Sequence, residues 1–488
     1  MTSASLAQRA YGLSRKLAPN WQTLGPRFMP FADAATADLP LSRLLRLSLF
    51  QVSVGIAIAL LVGTLNRVMI VELGVGAWLV ALMVSLPVLV APLRALVGFR
   101  SDTHRSALGW RRVPYVWMGS CLQFGGLAIM PFALLLLTGR GEPGSIWLGH
   151  IGAAAAFLMV GAGVQTTQTA GLALATDLAS AETRPRVVAL MYVMLLVGMV
   201  GAGVVYSVAL ANFSETRLVQ VIQSAAVLSV LLNVVALWKQ EPRDPGRNRD
   251  RTADAPGFRA TWRMFIAQPQ ARRFLWTVGL GTMAFNMQDI VLEPYGAEVL
   301  NLSVGATSGL TAVLAGGSLA AFALAARVLT RGADAMRVAA FGAVLGLPAF
   351  AAVVFSAPLE SPLLFRAGTL LIGFGGGLFA VGTLCAAMGM ERREHVGLAL
   401  GAWGAVQATC AGVAIALGGA IRDVVSYVAT QGLLGEALMS TTTGYSFVWH
   451  IEIYLLFATL IALGPLVRPV GKTRREAASK FGMAGLPG

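Results

Sequence analysis

The segment GFRSDTHRSALGWRRVPYVW, residues 98–117, is a short basic connector between two long apolar runs. It contains four arginines, one histidine and a single aspartate, whereas the runs on either side contain almost no charged residues. The same alternation of apolar runs and polar connectors extends from about residue 47 to residue 467. An apolar run of about 20 residues is long enough to cross a bilayer as a helix. The pattern therefore predicts an all-α membrane protein.

Composition supports the same class. The chain has 488 residues, of which 56% are hydrophobic and 12% charged, and its mean hydropathy is +0.70. Soluble globular domains have roughly 25% charged residues, so that class is excluded. The apolar runs predict twelve transmembrane spans, at residues 47–71, 76–99, 114–138, 146–172, 187–211, 217–238, 274–297, 306–329, 335–356, 362–389, 396–421 and 446–467.

The positions of lysine and arginine predict the orientation of these spans. Positively charged connectors are retained on the cytoplasmic side of a membrane. Most of the 37 basic residues lie in the N-terminal segment, the connectors after even-numbered spans and the C-terminal tail. The exceptions are Arg67, Arg94, Arg140, Arg217, Arg366 and Arg422. Both termini are therefore expected in the cytoplasm, and anionic lipid headgroups account for the net charge of +14 without a nucleic-acid partner.

The chain divides into two similar halves. The long polar connector 239–273 separates six spans from six, and VELGVGAWLVALM after span 1 resembles EVLNLSVGATSGLTAVL after span 7. Two parallel six-helix repeats are the architecture of major facilitator proteins. The chain is predicted to begin with a cytoplasmic N-terminal segment, 1–46, that contains an interfacial strap. Two six-helix halves follow, at 47–238 and 274–468, and the cytoplasmic linker 239–273 connects them. The chain ends in a cytoplasmic tail, 469–488.

The opening connector resembles the signature between spans 2 and 3 of major facilitator proteins. The matching residues are Gly98, Asp102, Gly109, Arg111 and Arg112, although extra residues separate Asp102 from Gly109. In that superfamily the aspartate and the basic residues latch the two halves at the cytoplasmic side. The resemblance therefore predicts an inner latch. The alternative is that the arginines are ordinary retained positive charges.

Ionisable residues also fall inside the predicted spans. Asp289 and Glu293 lie in span 7, while Arg67 and Arg366 lie at a similar height in spans 1 and 10. Charges in low dielectric are expected to pair, so these residues are predicted to form an outer charged cluster. Three interpretations remain open: a static clamp, which we favour, a titrating site of a proton-coupled transporter, and groups that simply lie at the water interface.

Uncharged polar residues are candidate contacts within a central cavity lined by spans 1, 4, 7 and 10. They are Asn66, Gln165, Gln168 and Asn286, which could equally well bond one helix to another. The four histidines fall in connectors or at span ends, so no metal ligand is predicted: His104, His150, His395 and His450. No nucleophile with a base, phosphate-binding loop or metal-ligand spacing is found, and catalytic residues are not predicted.

Longer stretches carry a closer resemblance. LPLSRLLRLSLFQVSVG (39–55), GTLNRVMIVELGV (63–75), FRSDTHRSALGWRRVPYVW (99–117), LQFGGLAIMPFALLLL (122–137) and MQDIVLEPYG (287–296) resemble the PucC and LhaA family of bacteriochlorophyll-delivery proteins. The resemblance covers residues 24–468. It implies a role in assembling light-harvesting complexes in the photosynthetic (intracytoplasmic) inner membrane of purple bacteria.

The same resemblance implies particular partners. Bacteriochlorophyll is the implied cargo, and the implied protein partners are antenna polypeptides of LH1 or LH2, or the reaction-centre core complex, surrounded by membrane lipids. The alternative is a secondary transporter of a tetrapyrrole or another amphipathic solute.

The orientation is testable with reporter fusions. Alkaline phosphatase is active only outside the cytoplasm, so a fusion after Asp254 in the linker is expected to be inactive and one after Glu360 active. Activities measured in whole cells, corrected for the amount of fusion protein, decide the point. The reverse pattern would contradict the charge argument.

Overall fold

The computed structural model describes residues 36, 39–89, 97, 101, 110–137, 145–180, 183–241, 269–389 and 396–467. In this part of the chain the regular structure is helical, and no strand is present. The helices, numbered by span, are α1 Leu41–Glu72, α2 Ala77–Leu89, α3 Val113–Leu137, α4 Ser145–Leu178, α5 Arg184–Ala209, α6 Glu215–Leu237, α7a Pro269–Asn286, α7b Leu292–Glu298, α8 Val304–Thr330, α9 Ala335–Ser356, α10 Pro362–Gly389, α11 Val396–Thr430 and α12 Thr441–Leu463.

These helices coincide with the predicted spans. Among the described residues, ten helices are long and apolar enough to cross a membrane. The other two are α2, which has 13 described residues, and the seventh span, which is interrupted. The prediction of an all-α protein with two six-helix halves of major facilitator type is confirmed, and the protein is a multi-pass membrane protein. The end of the bundle at which α1 begins and α12 ends is called the basic end, and the other the far end.

Local sequence explains where several helices begin. The hydroxyl groups of Ser214, Ser303 and Ser440 accept hydrogen bonds from backbone N–H groups in the first turns of α6, α8 and α12. These serines satisfy donors that have no partner within the helix itself. Pro185 lies in the first turn of α5, where a missing N–H costs nothing.

The two halves pack through pairs of helices related by the repeat. Helix α5 packs against α8, and α2 packs against α11. Small residues allow these helices to approach closely: a Cβ atom added at Gly203 would lie 2.6 Å from the backbone nitrogen of Ala312. Close packing of small residues is a common way to join helices in a membrane, where burial of apolar surface gives little driving force.

The seventh span differs from the sequence prediction of one continuous helix. Helix α7a ends at Asn286, a 3-10 turn covers Met287–Ile290, and α7b begins at Leu292. Pro294 has no N–H, so it cannot bond to the carbonyl oxygen of Ile290 four residues earlier. The side-chain Nδ2 of Asn66 replaces that donor, at 3.0 Å from Ile290 O and 3.1 Å from Asp289 O.

Helix α1 presents Asn66 to this break. Asn66 and Arg67 lie between two π-helical segments, Ala59–Leu65 and Val68–Glu72. A π-helical turn inserts an extra residue and rotates the following side chains, and such turns are frequent at functional sites. Asn66 is fully buried as a result of its contact with the interrupted span.

The interface between the halves can be tested at Gly419 in α11. A Cβ atom there would lie 2.6 Å from the carbonyl oxygen of Ala77 and would overlap the Cβ of Ala81, both in α2. Gly419→Val is therefore expected to destabilise the protein by roughly 1–3 kcal/mol through overpacking. Gly404→Val in the same helix is the control, because nothing lies within 4 Å of its Cβ position. Equal thermal midpoints for the two variants in detergent would contradict this packing.

Candidate functional site

A cavity of about 410 Å³ lies between the two halves. It is lined by α1, α5, the interrupted seventh span, α8, α10 and α11, and most of its lining is apolar. Polar groups come mainly from the interrupted span. No lysine, arginine or histidine is among the described lining residues, which include Tyr192, Phe285, Asn286, Gln288, Asp289, Glu293, Thr311, Phe379, Trp403 and Gln407.

Two carboxyl groups, those of Asp289 and Glu293, face this cavity, and neither forms an ion pair with another described lining residue. Glu293 is 3% exposed, and its Oε1 accepts a hydrogen bond of 2.7 Å from the hydroxyl of Thr311. A Cβ at position 63 would lie 2.5 Å from that Oε1, so only glycine leaves room for the carboxylate beside α1. Asp289 is half-buried and accepts a hydrogen bond from the side-chain Nε2 of Gln288. The cavity wall is therefore apolar with an acidic patch at the interrupted span.

The predicted pairing of the outer charged cluster is wrong in two respects. The guanidinium of Arg67 forms its ion pair with Glu72, one turn further along α1, although it also interacts electrostatically with Glu293. Arg366 is exposed on α10 and does not line the cavity. Arg67 pairs with a carboxylate of its own helix. Arg366 needs no acidic partner because it is exposed, where water or lipid headgroups can solvate its charge. The favoured clamp of two acids on two arginines is not formed.

A second charged group, missed in the sequence, lies at the far end of the bundle. Arg422 in α11 bonds to Glu298 at 2.5 Å and to Asp423 at 2.7 Å, and it contacts the ring of Tyr445. Asp423 Oδ2 accepts a hydrogen bond of 2.7 Å from the backbone N–H of Trp78, in the first turn of α2. A carboxylate of one half thus caps a helix of the other half. In the sequence, the acidic residue directly after Arg422, Asp423, was the feature that could have indicated this contact.

The polar candidates separate into different roles. Asn286 lines the cavity and donates to the carbonyl of Thr282, while Asn66 joins α1 to the seventh span. Gln165 and Gln168 of α4 do not line this cavity, contrary to the expectation for span 4. Gln168 instead lies 3.5 Å from Gln51, within the first half. Of the histidines, His150 and His450 lie outside the cavity lining, and His104 and His395 lie outside the described residues.

At the basic end, the arginines of the predicted inner latch bond within the first half. Arg111 and Arg112 both contact Asp177 Oδ2 at the end of α4, at 2.7 and 3.1 Å. The carboxylate of Glu241, which follows α6, accepts hydrogen bonds from the backbone N–H groups of Arg111, Arg112 and Val113. The other members of the predicted latch lie outside the described residues: Gly98, Asp102 and Gly109.

Fold and site together define a membrane protein of the major facilitator type, with a central cavity between two six-helix halves. A bacterial homologue of the human lysosomal transporter Spinster, in an inward-facing and unoccupied conformation, has the same fold. The TM-score is 0.65 at 13% identity, and the alignment covers 86% of this chain and 95% of that one.

The family model described as PUCC protein matches residues 64–470, and the chain belongs to this family. Protein PucC of Rhodovulum sulfidophilum is 58% identical over 85% of this chain and 92% of its own length. An uncharacterized protein in the puhA-bchM intergenic region of Rhodobacter capsulatus is 53% identical over 95% of this chain and 98% of its own length. A third relative, the bacteriochlorophyll synthase 44.5 kDa chain of Rhodobacter capsulatus, is 29% identical over 78% of this chain and 87% of its own length.

The contact made by Glu241 generates a stability prediction. Glu241→Gln removes the charge from the group that caps the start of α3, and hydrogen bonds to charged groups contribute about 1.5–3 kcal/mol. The variant is expected to have a lower thermal midpoint in detergent than the parent protein. Glu436→Gln, at an exposed position between α11 and α12, is the matched control. If both variants melt like the parent, Glu241 does not hold the basic end together.

Proposed function

We propose that this protein is an assembly factor for a purple-bacterial light-harvesting complex, LH1 or LH2, that presents or delivers bacteriochlorophyll to antenna polypeptides. It acts without catalysing a reaction. Its partners in this role are antenna polypeptides or the reaction-centre core complex, together with the surrounding lipids. The setting is the photosynthetic inner membrane, with both termini in the cytoplasm, in accordance with the distribution of arginine and lysine.

The central cavity is the observation that carries this proposal. Its walls combine aromatic rings, such as those of Phe285, Phe379 and Trp403, with few polar groups at one side. Sites of this composition suit amphipathic ligands, whose apolar body packs on the walls while a polar group meets the few hydrogen-bonding side chains. A tetrapyrrole pigment has this chemistry. Membership of the PUCC family and the bacteriochlorophyll synthase chain among the relatives favour a bacteriochlorin over other amphipathic ligands.

A secondary transporter of a tetrapyrrole or another amphipathic solute is the second candidate. The arrangement of Asp289 and Glu293 favours it, because neither acid is held by a basic partner within the described cavity lining. Intramembrane acids of this kind occur in the proton pathways of transporters. The two candidates differ in their partners: an assembly factor binds antenna polypeptides, whereas a solitary transporter needs none.

Gentle purification distinguishes the two. The protein is extracted in mild detergent from photosynthetic membranes, and the co-purifying chains and the absorption spectrum are recorded. We expect antenna or core-complex polypeptides and bacteriochlorophyll absorption in the purified fraction. A pigment-free protein without antenna polypeptides would contradict the proposal and favour the transporter.

A cavity-filling substitution tests where the pigment lies. Gly376 of α10 lines the cavity, and its Cβ position has only ordinary contacts of 3.4 Å to Phe285. Gly376→Leu is expected to fill part of the cavity and to reduce the pigment recovered per protein, with little loss of thermal stability. Gly404→Leu in α11, outside the cavity lining, is the control. Equal pigment recovery from both variants would place the pigment on the outer surface of the bundle.

A further inference from the structure

Glu452 of α12 is a carboxyl group that the cavity does not explain. It is fully buried and does not line the cavity. Neither Oε1 nor Oε2 makes a hydrogen bond of normal geometry within the described part of the chain. The backbone N–H of Gln288 is directed at this carboxyl group as a donor, and the carboxylate of Asp289 interacts with it electrostatically. An ionised carboxylate in such a place is strongly disfavoured, and a neutral, protonated carboxyl is the usual outcome.

The side chain of Gln288 has a buried acceptor atom that lacks a donor. Its Nε2 donates to the carbonyl oxygen of Phe285, at 3.4 Å, and to Asp289 Oδ1. The Phe285 carbonyl can only accept, so this contact sets which end of the amide is nitrogen. The Oε1 of Gln288 therefore points away from Asp289, and it is buried without a donor. A buried carbonyl oxygen of this kind needs a donor from the neighbouring helix.

Among the described residues, the charged groups on the elements packed against α12 do not supply a cation at Glu452. Apart from Asp289, the charged groups on these elements lie at the two ends of the bundle: Arg272, Arg273, Arg337, Arg422 and Asp423. Arg422 bonds to Tyr445, which precedes Glu452 by about 10 Å along α12. Arg273 bonds to the carbonyl of Ala462, about 15 Å further along in the other direction. Between them Glu452 faces one acid and one amide.

We infer that Glu452 is a proton-binding site outside the cavity, whose carboxyl O–H donates to Gln288 Oε1 and so holds the Gln288 amide on the Asp289 carboxylate. One proton then gives both the Glu452 carboxyl group and Gln288 Oε1 a hydrogen-bond partner. The resulting hydrogen bonds run from Glu452 in α12 through Gln288 to Asp289 at the cavity wall. Glu452 is a positioning residue for Asp289, not a contact to cargo. Loss of the proton would place a second negative charge opposite Asp289 in low dielectric, which links the charge of the cavity to the packing of α12.

This inference does not depend on the identity of the cargo and is tested on the purified protein by infrared difference spectroscopy. We expect that Glu452→Gln removes a C=O stretching band of a protonated carboxyl, shifted slightly in D₂O, and leaves the carboxylate bands unchanged. The exposed Glu436→Gln is the control and is expected to remove carboxylate absorption instead. Loss of carboxylate absorption in Glu452→Gln would overturn the proposal.

Two further variants keep the test decisive. The amide of Glu452→Gln can donate to Gln288 Oε1, so this variant is expected to retain the thermal midpoint, whereas Glu452→Leu has no donor and is expected to melt lower. Equal stability of both variants would contradict the hydrogen bond to Gln288. Should Glu452→Gln fail to fold, Glu452→Asp retains a carboxyl and is expected to shift the C=O band; an unshifted band would assign it to another residue and refute the site.

Discussion

The hydrogen bonds from the Asn66 amide to the carbonyls of Asp289 and Ile290 are the interaction on which the site depends. In a bilayer, a backbone carbonyl without a donor costs several kcal/mol, so an interrupted helix persists only where the protein supplies one. Pro294 removes the donor within the seventh span, and α1 provides the replacement. This contact is one of those that join the two halves, and it allows the chain to bend where Asp289 and Glu293 enter the cavity.

Charge is distributed differently at the two ends of the bundle. At the far end, contacts cross between the halves: Asp423 caps α2, and the hydroxyls of Thr64 and Ser308 lie 3.1 Å apart. At the basic end, Arg111 and Arg112 bond to acids of their own half. The described contacts therefore tie the halves together at the far end, while the cavity between them keeps its two acids without basic neighbours in its lining.

Family membership and fold give complementary information about function. The fold is shared with transporters that differ almost completely in sequence, so it specifies two halves around a cavity but no particular ligand. The family model and the relatives cover most of the chain, and one of these relatives is named as a bacteriochlorophyll synthase chain. The proposed delivery role combines the two, since a pigment carrier needs both a membrane cavity and a pigment-synthesising setting.

The sequence by itself determined the membrane class, the positions of the spans and the two-half architecture, because hydrophobic length and charge bias act locally along the chain. It also identified Asp289 and Glu293 as ionisable residues within the seventh span, in a predicted outer charged cluster. Tertiary structure decided which polar groups meet. Arg67 forms its ion pair with Glu72, and Arg366 is exposed. Glu452 faces Gln288 from a helix more than 150 residues further along the chain. Pairing of buried polar groups depends on helix rotation and on breaks such as the one at Asn286. Helix rotations and helix breaks are set by packing between helices, so they cannot be predicted from the spacing of residues along one helix.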